Sequence, residues 1–174
     1  MPDFSVTQRE VLTRREVLDL FSACETIEDY LFCRVGIYAG LRISEILSIE
    51  KKDIVRDGRS VALHVRDSKG GKSRFACVDH TTADLLSIMS YPWFERSERT
   101  YQRRIKEICE RAGIDKDITP HTLRHTNITM LLSRGMPMEK VKQHAGHEKM
   151  ETTMVYTHLA WEPIAVSYEE AVGY

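Results

Sequence analysis

No apolar run in the 174-residue chain approaches the ~20 residues that a membrane-spanning helix requires. Met1-Pro2-Asp3 opens the chain without the charged and apolar segments of a secretory signal, so a cytosolic protein is expected. The cysteines Cys24, Cys33, Cys77 and Cys109 form no C-x-x-C pair. Reduced thiols are therefore expected, and a disulfide framework or a thiolate zinc site is not. An excess of one charge is also lacking, because 25 Lys and Arg against 26 Asp and Glu leave a net charge of -1. Bulk electrostatics thus do not mark the chain as a polyanion binder. Repeats and low-complexity stretches are missing too.

What is present is enough apolar sequence, 42%, for one domain with a sizeable core, and too little length for two comfortable ones. Thr13-Arg-Arg-Glu16 is a capping box followed by Val17, Leu18, Leu20 and Phe21, which predicts a helix start. A second helix is expected from about Thr26 to Ala39, buried through Ile27, Tyr30, Leu31, Val35 and Tyr38 and ended by Gly40. A short helix then carries Ile43, Ile46 and Leu47, and sets Glu45 one turn from Arg42, able to hold its guanidinium still. In the middle the period changes to that of strands. Ile49 to Val55, the alternating Val61, Leu63 and Val65, and Phe75 to Val78 predict a three-stranded antiparallel sheet with turns at Asp57-Gly58 and Ser68 to Lys72. The second of these strands should be half-buried. Further helices are expected over about Thr81 to Met89, Glu98 to Ala112, from Pro120 onward, and around Met138 to His144. The fold class is α+β, mostly helical.

Charge is unevenly spread although its sum is near zero. Arg66, Lys69, Lys72 and Arg74 crowd one segment, and Arg96, Arg99, Arg103, Arg104 and Lys106 another. Taken alone, each run reads as a solvated face. The C-terminal third is more specific: His121-Thr-Leu-Arg124, Gly146-His147 and Tyr156, with a second arginine upstream in Gly40-Leu41-Arg42-Ile43-Ser44-Glu45. Two histidines and two arginines can donate to the oxygens of a phosphodiester, and a phenolic oxygen can attack its phosphorus. Pro120 places His121 near a helix N-terminus with Arg124 about one turn on, so both can face one anion. A zinc reading competes, since His121 and His125 are spaced i, i+4 and His144 and His147 i, i+3. Arg124 beside the cation, and the lack of an obviously recruited cysteine or carboxylate, weigh against it, and no metal is expected.

These motifs resemble those of the tyrosine recombinases, the phage integrases and Xer-type enzymes, from about Thr13 to Leu159. The run Gly135-x5-Val141-x4-Gly146-His147, Thr152-Thr153 and Tyr156-Thr157-His158 is similar to the last box of that family, with Ala145 where a leucine is usual. The resemblance implies double-stranded DNA as substrate, other protomers as partners in a tetrameric synapse, and cutting and rejoining through a 3'-phosphotyrosine without a cofactor. It implies Tyr156 as nucleophile, Arg42 and Arg124 as the clamp on the scissile phosphate, and Lys69 as general acid, with Lys72 its rival. His121 and His147 would bind the phosphate, His121 also as general base, while Glu45 and His125 would support these groups from behind. Lys72, Arg74, Arg103 and Arg104 are the expected DNA contacts. The implied organisation is an extension over 1–12, a catalytic domain over 13–160 and a tail over 161–174 that could exchange between protomers. With about a dozen residues before the first helix, the chain reads as a fragment or as a small member. A type IB topoisomerase and a DNA-binding module that no longer cleaves are the alternatives.

Overall fold

In the computed structural model, residues 10–66, 73–146 and 172 are described below. Five of the helices described begin at a Ser, Thr or Asp side chain that accepts from an otherwise orphaned backbone amide. Thr13 and Glu16 form the expected capping box at α1 (Arg14–Ser22), with Thr13 Oγ1 accepting from the Glu16 amide at 3.2 Å and Glu16 Oε2 from the Thr13 amide at 2.7 Å. Thr26 caps α2 (Ile27–Arg34). This helix does not run on regularly to Ala39: Val35–Ala39 widens into a π-helical turn that stops at Gly40, which has φ 63°. The short α3 (Ile43–Ser48) follows.

The sheet has the order β1-β2-β3 with antiparallel neighbours, over β1 (Ile54–Asp57), β2 (Ser60–Val65) and β3 (Arg74–Cys77). Its first strand starts later than Ile49. Glu50 and Asp53 close a tight turn instead, the Glu50 amide donating to Asp53 Oδ2 at 2.9 Å and the Asp53 amide to the Glu50 carbonyl at 2.9 Å. The half-buried reading of β2 is likewise corrected. Val61, Leu63 and Val65 enter the main core, but Ala62 is also buried, on the opposite face, where it meets Cys77, Leu131, Met136 and Val141. Strand alternation holds, and both faces are covered.

Four further helices follow among the described residues: α4 (His80–Ile88), capped by Asp79; α5 (Glu98–Arg111), capped by Ser97; α6 (Pro120–Ser133), capped by Thr119; and α7 (Met138–Ala145). The α5 stripe Tyr101, Ile105, Ile108 and Cys109 is buried at helical spacing, and Tyr101 stacks on Phe32 of α2 with ring centroids 4.3 Å apart. Where α2 widens, Gly36 lies so close to α6 that an added Cβ would come within 3.0 Å of Leu123 Cδ1. Five elements come together around one point: the end of the π-helical turn, the start of α3, β3, the middle of α6 and the end of α7.

Candidate active site

Arg42 stands at the N-terminus of α3, and a single carboxylate fixes it from two directions. Glu45 Oε2 accepts from the Arg42 amide at 2.8 Å, and Glu45 Oε1 accepts from Arg42 Nη1 at 2.9 Å. The expected Arg42–Glu45 contact is thus present, and Glu45 does more than hold Arg42. From β3, Arg74 makes a two-pronged pair with the same carboxylate, Nη1 to Oε1 at 2.8 Å and Nη2 to Oε2 at 2.9 Å. Arg124 of α6 lies 3.9 Å from it through Nη1. Glu45 is buried with only 3% of its side chain exposed, so it is a carboxylate enclosed by three guanidiniums.

The other sides of these arginines meet the C-terminus of α7. Arg74 Nε donates to the His144 carbonyl at 3.0 Å, Arg124 Nη2 to the Ala145 carbonyl at 2.5 Å, and Arg42 Nη2 to the Gly146 carbonyl at 3.2 Å. Three successive carbonyls that the helix cannot satisfy itself thereby gain cationic donors, a favourable placement at the negative end of the helix dipole. Arg124 Nη1 also donates to the Gly40 carbonyl at 2.7 Å, tying α6 to the end of the π-helical turn. Gly40 and Gly146 both have left-handed backbones, and a Cβ at either would strike the arrangement: 2.5 Å from Asn127 Oδ1 at Gly40 and 2.7 Å from Arg74 Cδ at Gly146.

The electrostatics follow from burial and this uneven count of charges. Burial alone would raise the Glu45 pKa, but the hydrogen bonds and charge of Arg74, with those of Arg42, bring it down to about 2. Burial and the neighbouring charges of Arg42 and Arg74 lower the Arg124 pKa to about 10, with Glu45 opposing them. Arg124 stays charged at neutral pH. Among the described residues, three guanidiniums thus share one carboxylate, and Arg42 keeps 25% of its side chain exposed at the open edge. Such a site can take an anion with two or more oxygens. His121, exposed in the first turn of α6, lies about one helical turn from Arg124, as its spacing predicted.

Two expected DNA contacts are elsewhere. Arg74 is buried beneath the site rather than on a basic face, because Glu45 and the His144 carbonyl take its donors. Arg104 is turned inward, its Nε 2.6 Å from Asp29 Oδ1 and its Nη2 3.0 Å from Thr26 Oγ1, which braces α5 against the start of α2. Arg103 is exposed and pairs with Glu107 one turn away at 3.4 Å. His125 is half-buried on α6. Lys69, Lys72, His147 and Tyr156 lie outside the described residues.

Asn127 and His144 were not anticipated at the site. Both are fully buried: His144 Nδ1 accepts from the Cys77 amide at 3.2 Å, and its Nε2 lies 3.2 Å from Asn127 Oδ1. Burial, with the charges of Arg74 and Arg124, lowers the His144 pKa to about 3, so the ring is neutral. Both ring nitrogens are engaged, so His144 is not available as the zinc ligand that its spacing allowed. The three-residue step from Arg124 to Asn127, which puts both on one side of α6, was the one signal in sequence.

Comparison with known proteins identifies the family. Residues 10–162 match the phage integrase family. Tyrosine recombinase XerA of Saccharolobus solfataricus is 31% identical over 178 residues, spanning 97% of this chain and 59% of XerA. The integrase from mycobacterium phage Brujita superposes with a TM-score of 0.76 at 21% identity, over 93% of this chain and 57% of that one. A lambda integrase tetramer bound to a Holliday junction gives 0.63 at 19% identity, over 85% and 50%. The chain therefore spans a little over half the length of XerA. Similarity of sequence along almost all of its length, carried on the same fold, places this chain in the phage integrase family of tyrosine recombinases.

Proposed function

We propose that residues 13–160 form the catalytic domain of a site-specific DNA recombinase that cuts and rejoins DNA through a 3'-phosphotyrosine, and that it works in the cytosol. The observation that carries this reading is the pair Arg42 and Arg124, held around the buried Glu45 with positive charge in excess at an open edge. A phosphodiester gains negative charge on its non-bridging oxygens as phosphorus becomes pentavalent. Fixed guanidiniums are then worth more to the transition state than to the ground state. His121 donates to the same phosphate and accepts the phenolic proton, and His147 adds a further donor. The Tyr156 oxygen forms its bond to phosphorus as the bond to the 5'-oxygen breaks, and Lys69 supplies the proton to that leaving oxygen. One phosphoester replaces another, so the step is reversible by any 5'-hydroxyl and needs no nucleotide.

The implied partners are double-stranded DNA and further protomers, as in the lambda integrase tetramer on its Holliday junction. The test is a nicked suicide duplex that traps the covalent adduct. Wild-type protein should accumulate it, while Tyr156→Phe should form none and keep its DNA affinity. An adduct that persists in Tyr156→Phe would move the nucleophile elsewhere, with Tyr168 the next to examine.

A further inference from the structure

The buried pair Asn127 and His144 has a hydrogen-bonding pattern that leaves no freedom of tautomer or orientation. The Cys77 amide can only donate, so His144 Nδ1 must carry the lone pair and Nε2 the proton. That proton points at Asn127 Oδ1, which orients the amide. The Asn127 Nδ2 group then donates to the carbonyls of Ile37 at 2.8 Å and Tyr38 at 3.0 Å, in the π-helical turn that ends at Gly40. One line of donors and acceptors thus runs from β3 through α7 and α6 to that turn.

Both ends of the line reach the arginines. Gly40, where an added Cβ would strike Asn127, offers its carbonyl to Arg124 Nη1, and the carbonyl of His144 itself accepts from Arg74. The next two carbonyls after His144 hold Arg124 and Arg42. We propose that Asn127 and His144 are positioning residues for the arginine clamp: the pair sets the distance between the Gly40 carbonyl and the end of α7, and so fixes where Arg124 and Arg42 present their donors. This rests on the reading of those arginines as the grip on the scissile phosphate. An apolar core at the two positions would fill the space, but it would remove the acceptor that His144 gives the Cys77 amide and the donors that Asn127 gives the two carbonyls. It would also let the turn and the helix end slide past each other. Displacement of a catalytic group by about 1 Å can cost on the order of a hundredfold in rate.

The charged and titratable groups that act on His144 are Arg74 and Cys77 from β3 and Arg124 from α6, with Glu45 of α3 and Arg42 before it next to those arginines. Its protonation would set a fourth cation beside three guanidiniums and turn Nδ1 from an acceptor into a donor facing the Cys77 amide, so the pair works in the neutral form.

The full chain can be tested with His144→Asn, which keeps an acceptor for the Cys77 amide and loses the reach to Asn127, and with His144→Gln, which keeps the reach. The first readout is the Nε–H resonances of Arg42 and Arg124 by nitrogen-15 NMR, which do not depend on any reaction. His144→Asn should move the Arg124 signal and His144→Gln should move it less; unchanged signals in both would overturn the proposal. The second is single-turnover adduct formation at saturating suicide DNA. His144→Asn should be slower by about tenfold to a hundredfold, with DNA affinity within about threefold of wild type, and should add little further loss to an Arg124→Lys variant. A lower melting temperature with a wild-type rate, or losses that simply multiply, would reduce the pair to ordinary core. If His144→Asn does not fold, Asn127→Asp, which removes the amide donors, is read in the same way. A wild-type chain that forms no adduct would count against the recombinase reading, while the NMR shifts would still decide the role of the pair.

Discussion

Arg124 is held mainly by backbone carbonyls, those of Gly40 and Ala145, and only distantly by Glu45 at 3.9 Å. That choice of partners matters for an anion site, because a carbonyl orients a guanidinium without cancelling its charge. A lysine could contact one of these carbonyls but could not span both from a planar head. Arg124→Lys, and likewise Arg42→Lys, should therefore lower single-turnover adduct formation by about a hundredfold or more. EDTA should leave the wild-type rate unchanged. A zinc-dependent recovery after chelation would revive the histidine-metal reading, through histidines other than His144.

Among the elements, α7 is the most exposed to acid, because its last turn contains a histidine that is buried and neutral. The folded pKa of His144, about 3, lies below the ordinary value of 6.5. The unfolded chain therefore takes up the proton first as pH falls, and the stability is full above about 6.5 and lost from there toward 3. While only the unfolded chain holds that proton, the cost is about 1.4 kcal/mol per pH unit. Glu45 has the opposite displacement for an acid. Its folded pKa of about 2 is below the ordinary 4.5, so its contribution is present above 4.5 and fades as pH drops toward 2. Urea midpoints measured from pH 7.5 to 3.5 should begin to fall just below 6.5 in the wild-type chain. In His144→Asn the decline should begin only as the carboxylates titrate; an identical onset in both proteins would mean that another histidine governs it.

On the scale of the whole molecule, a second apolar cluster lies on the face of the sheet turned away from the main core. Ala62, Cys77, Leu131, Met136 and Val141 form it, and Val172, far along the chain, packs against it. In sequence, Ile164, Val166 and Tyr168 lie close before Val172 and are apolar like it. Deleting residues 161–174 should leave binding to a one-site duplex nearly unchanged and weaken cooperative binding to a two-site duplex. Gel-shift titrations of intact and truncated chains would check this. Equal cooperativity would show that the tail does not connect protomers.

The sequence by itself determined the helix starts, because caps such as Thr13, Thr26 and Thr119 act on amides two or three residues away. It also determined the Arg42–Glu45 pair, which lies within one turn, and the family, whose motifs are short and ordered along the chain. Only the tertiary structure decided what Arg74 and Arg104 do. Both lie in segments rich in basic residues, and nothing local says that Glu45, or Asp29 and Thr26, will reach them from distant segments. The same holds for β2, whose alternation shows that one face is buried but not that α6 and α7 cover the other. His144 and Asn127 differ from exposed polar residues only through contacts made across the fold. Local rules fix what a residue can do within a turn of itself, whereas burial and charge at the site arise where α3, β3, α6 and α7 meet, and that meeting is a property of the packed chain.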